Sequence, residues 1–412
     1  MFTLLTLSVT DISTLREILR DNEWLLNQEE NLIERDIALP LLRRAGYEVV
    51  EISTGVRRAG KSKILLWIGR RLKKEGKKVY YINFEDERFI PDDRDFQNIS
   101  SILDLKNSVL LVDEPQNIQK WEKWIRRMHD RGIKIYVTGS NSKLLGSEIA
   151  TSLGGRKRQH EVFPFSFSEY LRVKKASDLP SDQVVREFEK YMINGGYPYP
   201  TLSGDYSVLS DYRSDIVERD ILMRHKIRDA GMFRNLNRFV MSNPGIYISQ
   251  KSIKGFLDIS HVTLRKYLDY MVEAYAVIPL EKFSYSQKEQ IRNPKKFYPI
   301  DNGLLIKKTD KGKLLESCII QHIRRQTQNM FYWKDGRGKE VDIYLPEKGL
   351  AIQLVYELNR SNLQREEKAL ESAADFLNAK PLIVYLYSHV ETKYPSVKAI
   401  EFLEKIESIL ST

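Results

Sequence analysis

Short apolar runs alternate with amphipathic segments through the first 140 residues. Between them, residues 61–75 repeat apolar side chains at three- and four-residue spacing, which predicts a helix that ends near Gly76. The runs are rich in Val, Ile and Tyr and read as buried strands at 47–52, 79–84, 108–114 and 133–141. This alternation predicts a three-layer α/β domain with a parallel sheet.

The pattern changes after residue 165. Residues 165–245 keep helical spacing, with breaks at Asn194–Gly196 and at Pro198, and they predict a helical domain. Residues 246–300 predict a winged helix, in which Ser260 caps a longer helix that runs through Ala274 and two strands enclose a polar wing. The buried stripe of that helix is predicted to contain Val262, Leu268, Met271, Val272 and Tyr275.

The expected fold class is therefore α/β, a three-layer parallel sheet with a helical lid, a winged helix and a C-terminal α/β domain. The loop GVRRAGKS at 55–62, between a predicted strand and a predicted helix, makes the expected sheet one of the P-loop type. The predicted domains are an N-terminal helical arm at 1–30, the core at 31–165, the lid at 166–245, the winged helix at 246–305 and the last domain at 306–412. A chain of 412 residues has room for several such domains.

The amino-acid composition limits the classes of function that the chain can have. Lys and Arg number 66 against 56 acids, a net charge of +10 that suits a phosphate-bearing partner as well as an ordinary basic surface. Cys318 is the single cysteine, which excludes an internal disulfide. The sequence shows no signal peptide and no membrane-spanning apolar run, so we expect a cytoplasmic protein without membrane contact.

Residues 55–62 read GVRRAGKS and stand between a predicted strand and a predicted helix. A turn of this kind directs successive backbone amides and a helix N-terminus at phosphate oxygens, while its lysine reaches the terminal phosphates and its serine hydroxyl binds Mg²⁺. The predicted cofactors are thus a nucleoside triphosphate and Mg²⁺. The predicted contacts are Gly55, Arg57, Arg58, Ala59, Gly60, Lys61, Ser62 and Lys63.

A second acidic motif follows the third apolar run. Asp113 stands at the predicted strand end, where it can hold the metal with Ser62, and the adjacent Glu114 is suited to polarise an attacking water. The fourth strand ends in Ser140 and Asn141, either of which suits a position beside the terminal phosphate. These motifs predict hydrolysis.

Ten blocks, in order, resemble the predicted AAA+ ATPases of archaea and bacteria that carry a C-terminal domain of unknown function. The blocks are GVRRAGKS, YINFEDER, VLLVDEPQNIQKWEKWIRRMHDRG, YVTGSNSKLLGSEIATSLGGR, VFPFSFSEYL, YMINGGYP, RDIL, HVTLRKYLDYM, FYPIDNGLL and YWKDGRGKEVDIY. The resemblance covers nearly the whole chain. It implies ATP as the nucleotide and a ring or dimer in which one subunit completes the neighbouring site.

The resemblance also implies roles for several arginines. Arg156 is the best match for a finger supplied to the next subunit, and Arg158 is the alternative. Arg57 and Arg58 would contact phosphate or a neighbouring protein, or else be solvent-exposed charges. A lid arginine that senses nucleotide would be one of three, Arg213, Arg219 or Arg224.

The two C-terminal domains suggest partners. In the winged helix, exposed residues could contact double-stranded DNA, or the module could pack only against other domains. The candidates for DNA contact are His261, Thr263, Arg265 and Lys266. The last hundred residues resemble the PD-(D/E)xK nuclease fold, in which Glu316 and Asp342 match the acids. Gln353 and Val355 replace the second acid and the lysine, which disfavours nuclease activity.

These features lead to one main hypothesis and two alternatives. The main hypothesis is Mg²⁺-dependent ATP hydrolysis coupled to the position of the lid and winged helix. The first alternative is a nucleotide-gated DNA-binding regulator with incidental hydrolysis. The second is a Mg²⁺-dependent nuclease.

Overall fold

The computed structural model describes residues 10–28, 30–43, 49–90, 92, 94–140 and 153–411. The chain divides into two compact units at the Val162–Phe163 junction. Each unit is described separately. In the described part of the chain, no helix is both long enough and apolar enough to cross a membrane.

Strands and helices alternate in the first unit. The helices are α1 (Ile12–Asn27), α2 (Ala38–Arg43), α3 (Lys61–Lys74), α4 (Arg94–Ile102) and α5 (Trp121–Asp130). The strands are β1 (Val50–Thr54), β2 (Lys78–Asn83), β3 (Ser108–Asp113), β4 (Lys134–Gly139) and β5 (Lys157–Glu161). Helix α3 ends where predicted, since Gly76 adopts a positive φ of 77° just beyond it.

The five described strands of this unit form one sheet in the order β2-β3-β4-β1-β5. Every pair in it is parallel. Because strand β4 separates β1 from β3, the sheet brings the loop after β1 and the acids after β3 to the same edge. This result confirms the predicted parallel α/β core.

Apolar strands and aromatic side chains build the core on one face of this sheet. Phe84, Phe96 and Trp124 are almost fully buried, and the rings of Phe96 and Trp124 stack with centroids 4.8 Å apart. Helix α1 adds Leu15 and Ile18 to the same cluster. Rigid packing beneath the carboxyl edge of the sheet fixes the positions of the loops above it.

The second unit begins with helices and ends with a mixed sheet. Its helices are α6 (Phe167–Val173), α7 (Ser181–Asn194), α8 (Pro198–Ser203), α9 (Leu209–Asp215), α10 (Ala230–Ser242), α11 (Gln250–Ile253), α12 (His261–Glu273), α13 (Gln287–Arg292), α14 (Lys311–Gln326), α15 (Leu363–Leu377), α16 (Ala399–Glu404) and α17 (Ile406–Ser411). A π-helix covers Ile216–Met223 directly after α9. The strands are β6 (Tyr247–Ile248), β7 (Val277–Lys282), β8 (Lys295–Pro299), β9 (Phe331–Lys334), β10 (Glu340–Leu345), β11 (Leu350–Leu358), β12 (Lys380–Ser388) and β13 (Ser396–Lys398).

The described strands of this unit form a single sheet in the order β13-β12-β11-β10-β9-β7-β8-β6. Strands β7 and β9 pair in parallel, with Glu281 opposite Phe331. This pairing joins the strands predicted for the winged helix to those predicted for the last domain. The bounds of the five domains drawn from the sequence stay predictions.

The structure differs from the sequence-based predictions at the first strand, at Pro198 and between β7 and β8. The strand predicted at 47–52 runs instead from Val50 to Thr54, and residues 44–48 lie outside the described part. Pro198 opens α8 rather than only interrupting a helix, because proline lacks the amide that a first helical turn leaves unpaired. Between β7 and β8 the chain forms helix α13.

Val262 was predicted to be buried, and this prediction is wrong. Helix α12 runs as expected, with Ser260 as its N-cap, but 64% of Val262 is exposed. Leu268, Met271 and Tyr275 are buried as predicted, and Val272 is half-buried. The buried stripe of the helix also contains Leu264 and Tyr267, which lie four residues before Leu268 and Met271 respectively. Val262 lies two positions before Leu264 and therefore faces away from that stripe.

Candidate nucleotide-binding site

The loop between β1 and α3 has the backbone shape that a phosphate-binding turn requires. Gly55 has φ 152°, and a Cβ there would lie 2.1 Å from the carbonyl oxygen of Val162. Gly60 is left-handed at φ 97° and caps α3. Glycine is needed at both positions, so the loop can direct its amides and the N-terminus of α3 towards one point.

Lys61 begins α3 and is buried. Its ammonium donates to the carbonyl oxygens of Gly55 at 3.0 Å and Val56 at 2.9 Å. The charge is thus held inside the curve of the loop, where a phosphate oxygen would attract it more strongly than a neutral carbonyl does.

Asp113, at the end of β3, is almost fully buried and accepts hydrogen bonds from two side chains. Tyr81 Oη donates to it at 2.9 Å, and the Thr138 hydroxyl also donates to the carboxylate. The Ser62 hydroxyl at the start of α3 also acts on this carboxylate and favours its charged form. Burial and the charge of Glu114 raise the pKa of Asp113, while these hydrogen bonds lower it. A buried carboxylate beside a serine hydroxyl is a donor set that Mg²⁺ accepts in proteins.

Glu114 follows Asp113 with a left-handed backbone, φ 51°. This conformation turns its side chain away from the strand direction, towards β4. Its Oε2 accepts from the amide of Ser140 at 3.1 Å and from the hydroxyl of Ser140 at 3.3 Å. Gln116 also donates to this carboxylate. The backbone strain and the fixed carboxylate are typical of a functional position.

Three residues of this arrangement were missed from the sequence. Tyr81 on β2 and Thr138 on β4 contact Asp113 only because the sheet places their strands on either side of β3. Arg35, which precedes α2, is buried and donates Nη1 to the carbonyl oxygen of Ala59 at 2.9 Å. Arginine is seldom buried in a protein unless a specific partner holds it. The residues next to Arg35 in the sequence, however, do not indicate that it contacts Ala59.

The remaining loop cations have protein partners. Arg57 Nη1 lies 3.2 Å from Glu85 Oε1, and Arg58 is exposed with φ 66°. Lys63 pairs with Glu30 at 2.7 Å, so its side chain is directed to the protein rather than into the loop. Ser140 is buried next to Glu114, and Asn141 lies outside the described residues.

Comparison with known proteins agrees with this geometry. A family model described as an AAA domain matches residues 48–171, and two domains of unknown function, DUF8612 and DUF4143, match 185–313 and 311–403. An uncharacterized protein of Methanocaldococcus jannaschii is 34% identical over 383 residues, which cover 87% of this chain and 85% of that protein. The chain belongs to the AAA+ P-loop ATPase family.

Other similarities are weaker. An uncharacterized Haemophilus influenzae protein is 28% identical over 276 residues, covering 62% of this chain and 68% of that one. The crystal structure of Cdc6p from Pyrobaculum aerophilum aligns over 73% of this chain and 98% of its own at 12% identity, with a TM-score of 0.31. A score this low supports no argument about function.

The two finger candidates of this AAA+ protein lie on the surface of the first unit. Arg156 is 60% exposed and pairs with Asp130 at 2.7 Å, while Arg126 lies 3.7 Å from the same carboxylate. Arg158 on β5 lies 3.9 Å from the buried Glu51, which also contacts His160. Arg156 is thus the more accessible of the two.

The three sensor candidates lie in the second unit. Arg219 is exposed and pairs with Asp215 at 3.4 Å. Arg224 follows the π-helix and has a buried Nη1 with no hydrogen-bond partner among the described residues. Arg213 on α9 is half-buried. Their role stays a prediction.

The predicted DNA-contacting residues share the outer face of α12. His261, Arg265 and Lys266 are exposed, and Thr263 is half-buried because its amide and hydroxyl contact the capping Ser260. The expected exposure of this face is therefore found, with Val262 as an additional exposed member.

The AAA+ chain also brings Glu316 and Asp342 together, and adds a lysine that the sequence did not indicate. Lys296 on β8 lies 3.4 Å from Glu316 and 2.5 Å from Glu340, and Lys313 lies 2.5 Å from Glu316. Burial alone would lower the pKa of Lys296, but the surrounding carboxylates hold it above its usual value. Burial and the charge of Glu316 raise the pKa of Asp342 to about 7.

Most polar groups of this cluster have partners within the chain, but the side-chain oxygen of Gln353 has none among the described residues. Gln353 donates to Glu366 at 2.8 Å, and Asp342 accepts from the amide of Leu354 at 2.9 Å. Among the described residues, no group of three or more His, Cys, Asp or Glu is arranged to hold a metal ion. The ammonium groups around Glu316 instead tie β8 to α14 and β10, which favours a structural role for the cluster.

A prediction concerns Arg35. Arg35→Ala is expected to weaken ATP binding roughly tenfold or more, because the loop carbonyl at Ala59 loses a buried charged donor and with it one anchor of the loop. The measurement is a calorimetric titration of the full chain with Mg·ATP. Arg43→Ala, at the exposed end of α2, removes the same charge nearby and should leave the affinity unchanged. Equal affinities for the two variants would contradict the anchoring role.

Proposed function

We propose that this AAA+ protein binds and hydrolyses Mg·ATP. The single observation that carries the proposal is the buried Lys61 ammonium, which the carbonyl oxygens of Gly55 and Val56 hold inside the glycine-shaped loop. The buried Asp113 carboxylate at the end of β3 supports the same assignment, because the Ser62 hydroxyl that follows Lys61 acts on it and lowers its pKa.

Each residue of the site has a separate role in binding or hydrolysis. The amides of the loop and the N-terminus of α3 cradle the phosphates, and the Lys61 ammonium exchanges its carbonyl partners for a terminal phosphate oxygen. Ser62 and Asp113 would hold Mg²⁺, which offsets phosphate charge when bound. Glu114 orients the attacking water and accepts its proton, and Ser140 keeps the carboxylate aimed.

The test is phosphate release by the full chain with Mg·ATP and with excess chelator, measured over a range of protein concentrations. We expect slow release that requires Mg²⁺ and that increases per chain as subunits assemble. Absence of Mg²⁺-dependent release at every protein concentration would contradict hydrolysis. We further propose that hydrolysis changes the position of the helical lid and the winged helix.

The exposed face of α12 favours one additional proposal, contact with double-stranded DNA. Among the residues that the structure describes, Arg265 and Lys266 form no ion pair, and both are exposed, so they can reach backbone phosphates. If DNA binding dominates, the protein is a nucleotide-gated DNA-binding regulator with incidental hydrolysis. The ion-paired cluster around Glu316 gives no comparable support to a nuclease.

A salt titration of duplex binding checks this proposal. Arg265→Gln/Lys266→Gln is expected to weaken binding at every duplex sequence and to lower the slope of log affinity against log salt by about 2, since each phosphate contact contributes about 0.9. The control is Lys368→Gln/Lys405→Gln, which removes two exposed charges elsewhere in the unit. Absence of duplex binding at low salt, with and without ATP, would remove the DNA proposal.

A further inference from the structure

A crevice of about 470 Å³ lies in the first unit, between α1, strand β2 at the edge of the parallel sheet and the C-terminal end of α4. Its walls are largely apolar: Leu19 and Leu26 line it from α1, Val79 from β2, and Ile102 and Leu103 from the end of α4. The volume lies within the range of about 300–1,000 Å³ that is typical of small-ligand pockets. The described lining contains no residue of the loop at 55–62, so the crevice is not part of the phosphate-binding turn.

Helix α1 contributes a second, charged face to this crevice. Its buried face, with Leu15 and Ile18, packs into the core of the unit. Arg16, Arg20 and Glu23 follow one another at four- and three-residue spacing on another side of the helix, and all three line the crevice. The same helix therefore joins the core and supplies the polar rim of the crevice.

The charges on this rim are not balanced within the described part of the chain. Arg16 and Arg20 are exposed and lie four residues apart, a spacing at which like charges on a helix repel each other. Neither guanidinium forms an ion pair with a described acid, and Arg20 Nε donates to the carbonyl oxygen of Arg16 at 3.4 Å. Glu23 is the one acid among the described lining residues. Two arginines against one glutamate leave the rim one positive charge in excess.

We propose that this crevice binds a small amphipathic carboxylate, a molecule with one carboxylate group and an aliphatic chain. Charge complementarity selects the head group, because one excess positive charge matches a monoanion and a guanidinium can donate two parallel hydrogen bonds to a carboxylate. The apolar walls select the chain, because each CH₂ group that leaves water for such a wall stabilises the complex. A purely polar anion would leave these walls uncovered.

A calorimetric titration of the full chain with decanoate tests this proposal. The wild type is expected to bind decanoate, and each CH₂ group removed from the probe, down to hexanoate, should lower the affinity about fourfold. In Arg16→Gln/Arg20→Gln, the affinity for decanoate should fall at least about tenfold, because the carboxylate loses its charged donors. Both substitutions lie at exposed positions of a helix, so this variant should unfold at the same temperature as the wild type.

Three controls separate this site from a general attraction of anions or of apolar chains. Lys123→Gln/Arg127→Gln removes two exposed cations at the same four-residue spacing on α5 and should keep the full affinity for decanoate. Decyltrimethylammonium carries a chain of the same kind on a cationic head and should bind at least about tenfold more weakly than decanoate. Acetate carries the head group without the chain and should give no measurable heat at the same concentration.

Equal affinity of the wild type and Arg16→Gln/Arg20→Gln for decanoate would overturn the proposal, as would an absence of decanoate binding to the wild type. Comparable binding of decanoate and decyltrimethylammonium would also overturn it, because the crevice would then be an apolar surface without a site for the carboxylate.

Discussion

Glu114→Gln is expected to lower the rate of ATP hydrolysis by about 10²- to 10⁴-fold while Mg·ATP still binds, the usual contribution of a positioned general base. The amide has the same size as the carboxylate, so Ser140 and the loop keep their positions. It cannot accept a proton from water, because its oxygen is neutral and its nitrogen is a donor. The loss should therefore fall on the turnover number and not on affinity.

The measurement is single-turnover phosphate release together with nucleotide affinity. Glu75→Gln provides the matched control, since it makes the same change at the exposed C-terminal end of α3 and should leave both values unchanged. Normal turnover in a clean Glu114→Gln preparation would refute the role assigned to Glu114 and would move the search for the base to another residue.

Arg156→Ala is expected to lower turnover roughly a thousandfold or more at protein concentrations that support assembly, the contribution of an arginine that neutralises charge on the transferred phosphoryl group. The proposal rests on an exposed guanidinium, 60% accessible, whose protein partner is the surface residue Asp130. An exposed ion pair of this kind contributes little to stability, so the variant should fold normally.

Arg126→Ala is the control for this experiment, because Arg126 contacts the same Asp130 and is 58% exposed. Mixing tests distinguish a finger supplied by a neighbour: Arg156→Ala chains should regain turnover when they are mixed with Glu114→Gln chains, since each lacks a different part of the shared site. Equal turnover of Arg126→Ala and Arg156→Ala would leave Arg156 as an ordinary surface residue and would favour Arg158.

The parts of the site that come from one stretch of chain could be predicted from sequence. The loop at 55–62 needs glycine at two positions with positive φ, and its lysine and serine follow at fixed spacing. Asp113 and Glu114 were also predictable, since an apolar run that ends in acids places them at the carboxyl edge of a parallel sheet.

Contacts made by strand order could not be predicted. Tyr81 and Thr138 reach Asp113 from the strands on either side of β3, and neither residue stands out along the chain. Lys296 likewise reaches Glu316 from β8, whereas the sequence comparison sought a lysine at the position of Val355 on β11. Such pairs depend on which strands become neighbours, and short local patterns do not encode this.

The buried face of a helix can be predicted from sequence only in part. The bounds of α12 followed from its cap and its apolar spacing, yet Val262 was assigned to the wrong face. In the first turn of a helix only one or two apolar residues define the buried side, so a single valine is assigned with little support from its neighbours.

The most direct test of the whole account is a calorimetric titration of the full chain with ATP, performed with Mg²⁺ and with chelator, for the wild type and for Lys61→Ala. The account predicts tight binding of Mg·ATP to the wild type, clearly weaker binding without the metal, and a loss of roughly 100-fold in Lys61→Ala, since a charged hydrogen bond contributes up to about 3 kcal/mol. A wild-type chain that shows no heat of binding, or that binds ATP equally well with chelator, would contradict the joint action of Lys61, Ser62 and Asp113.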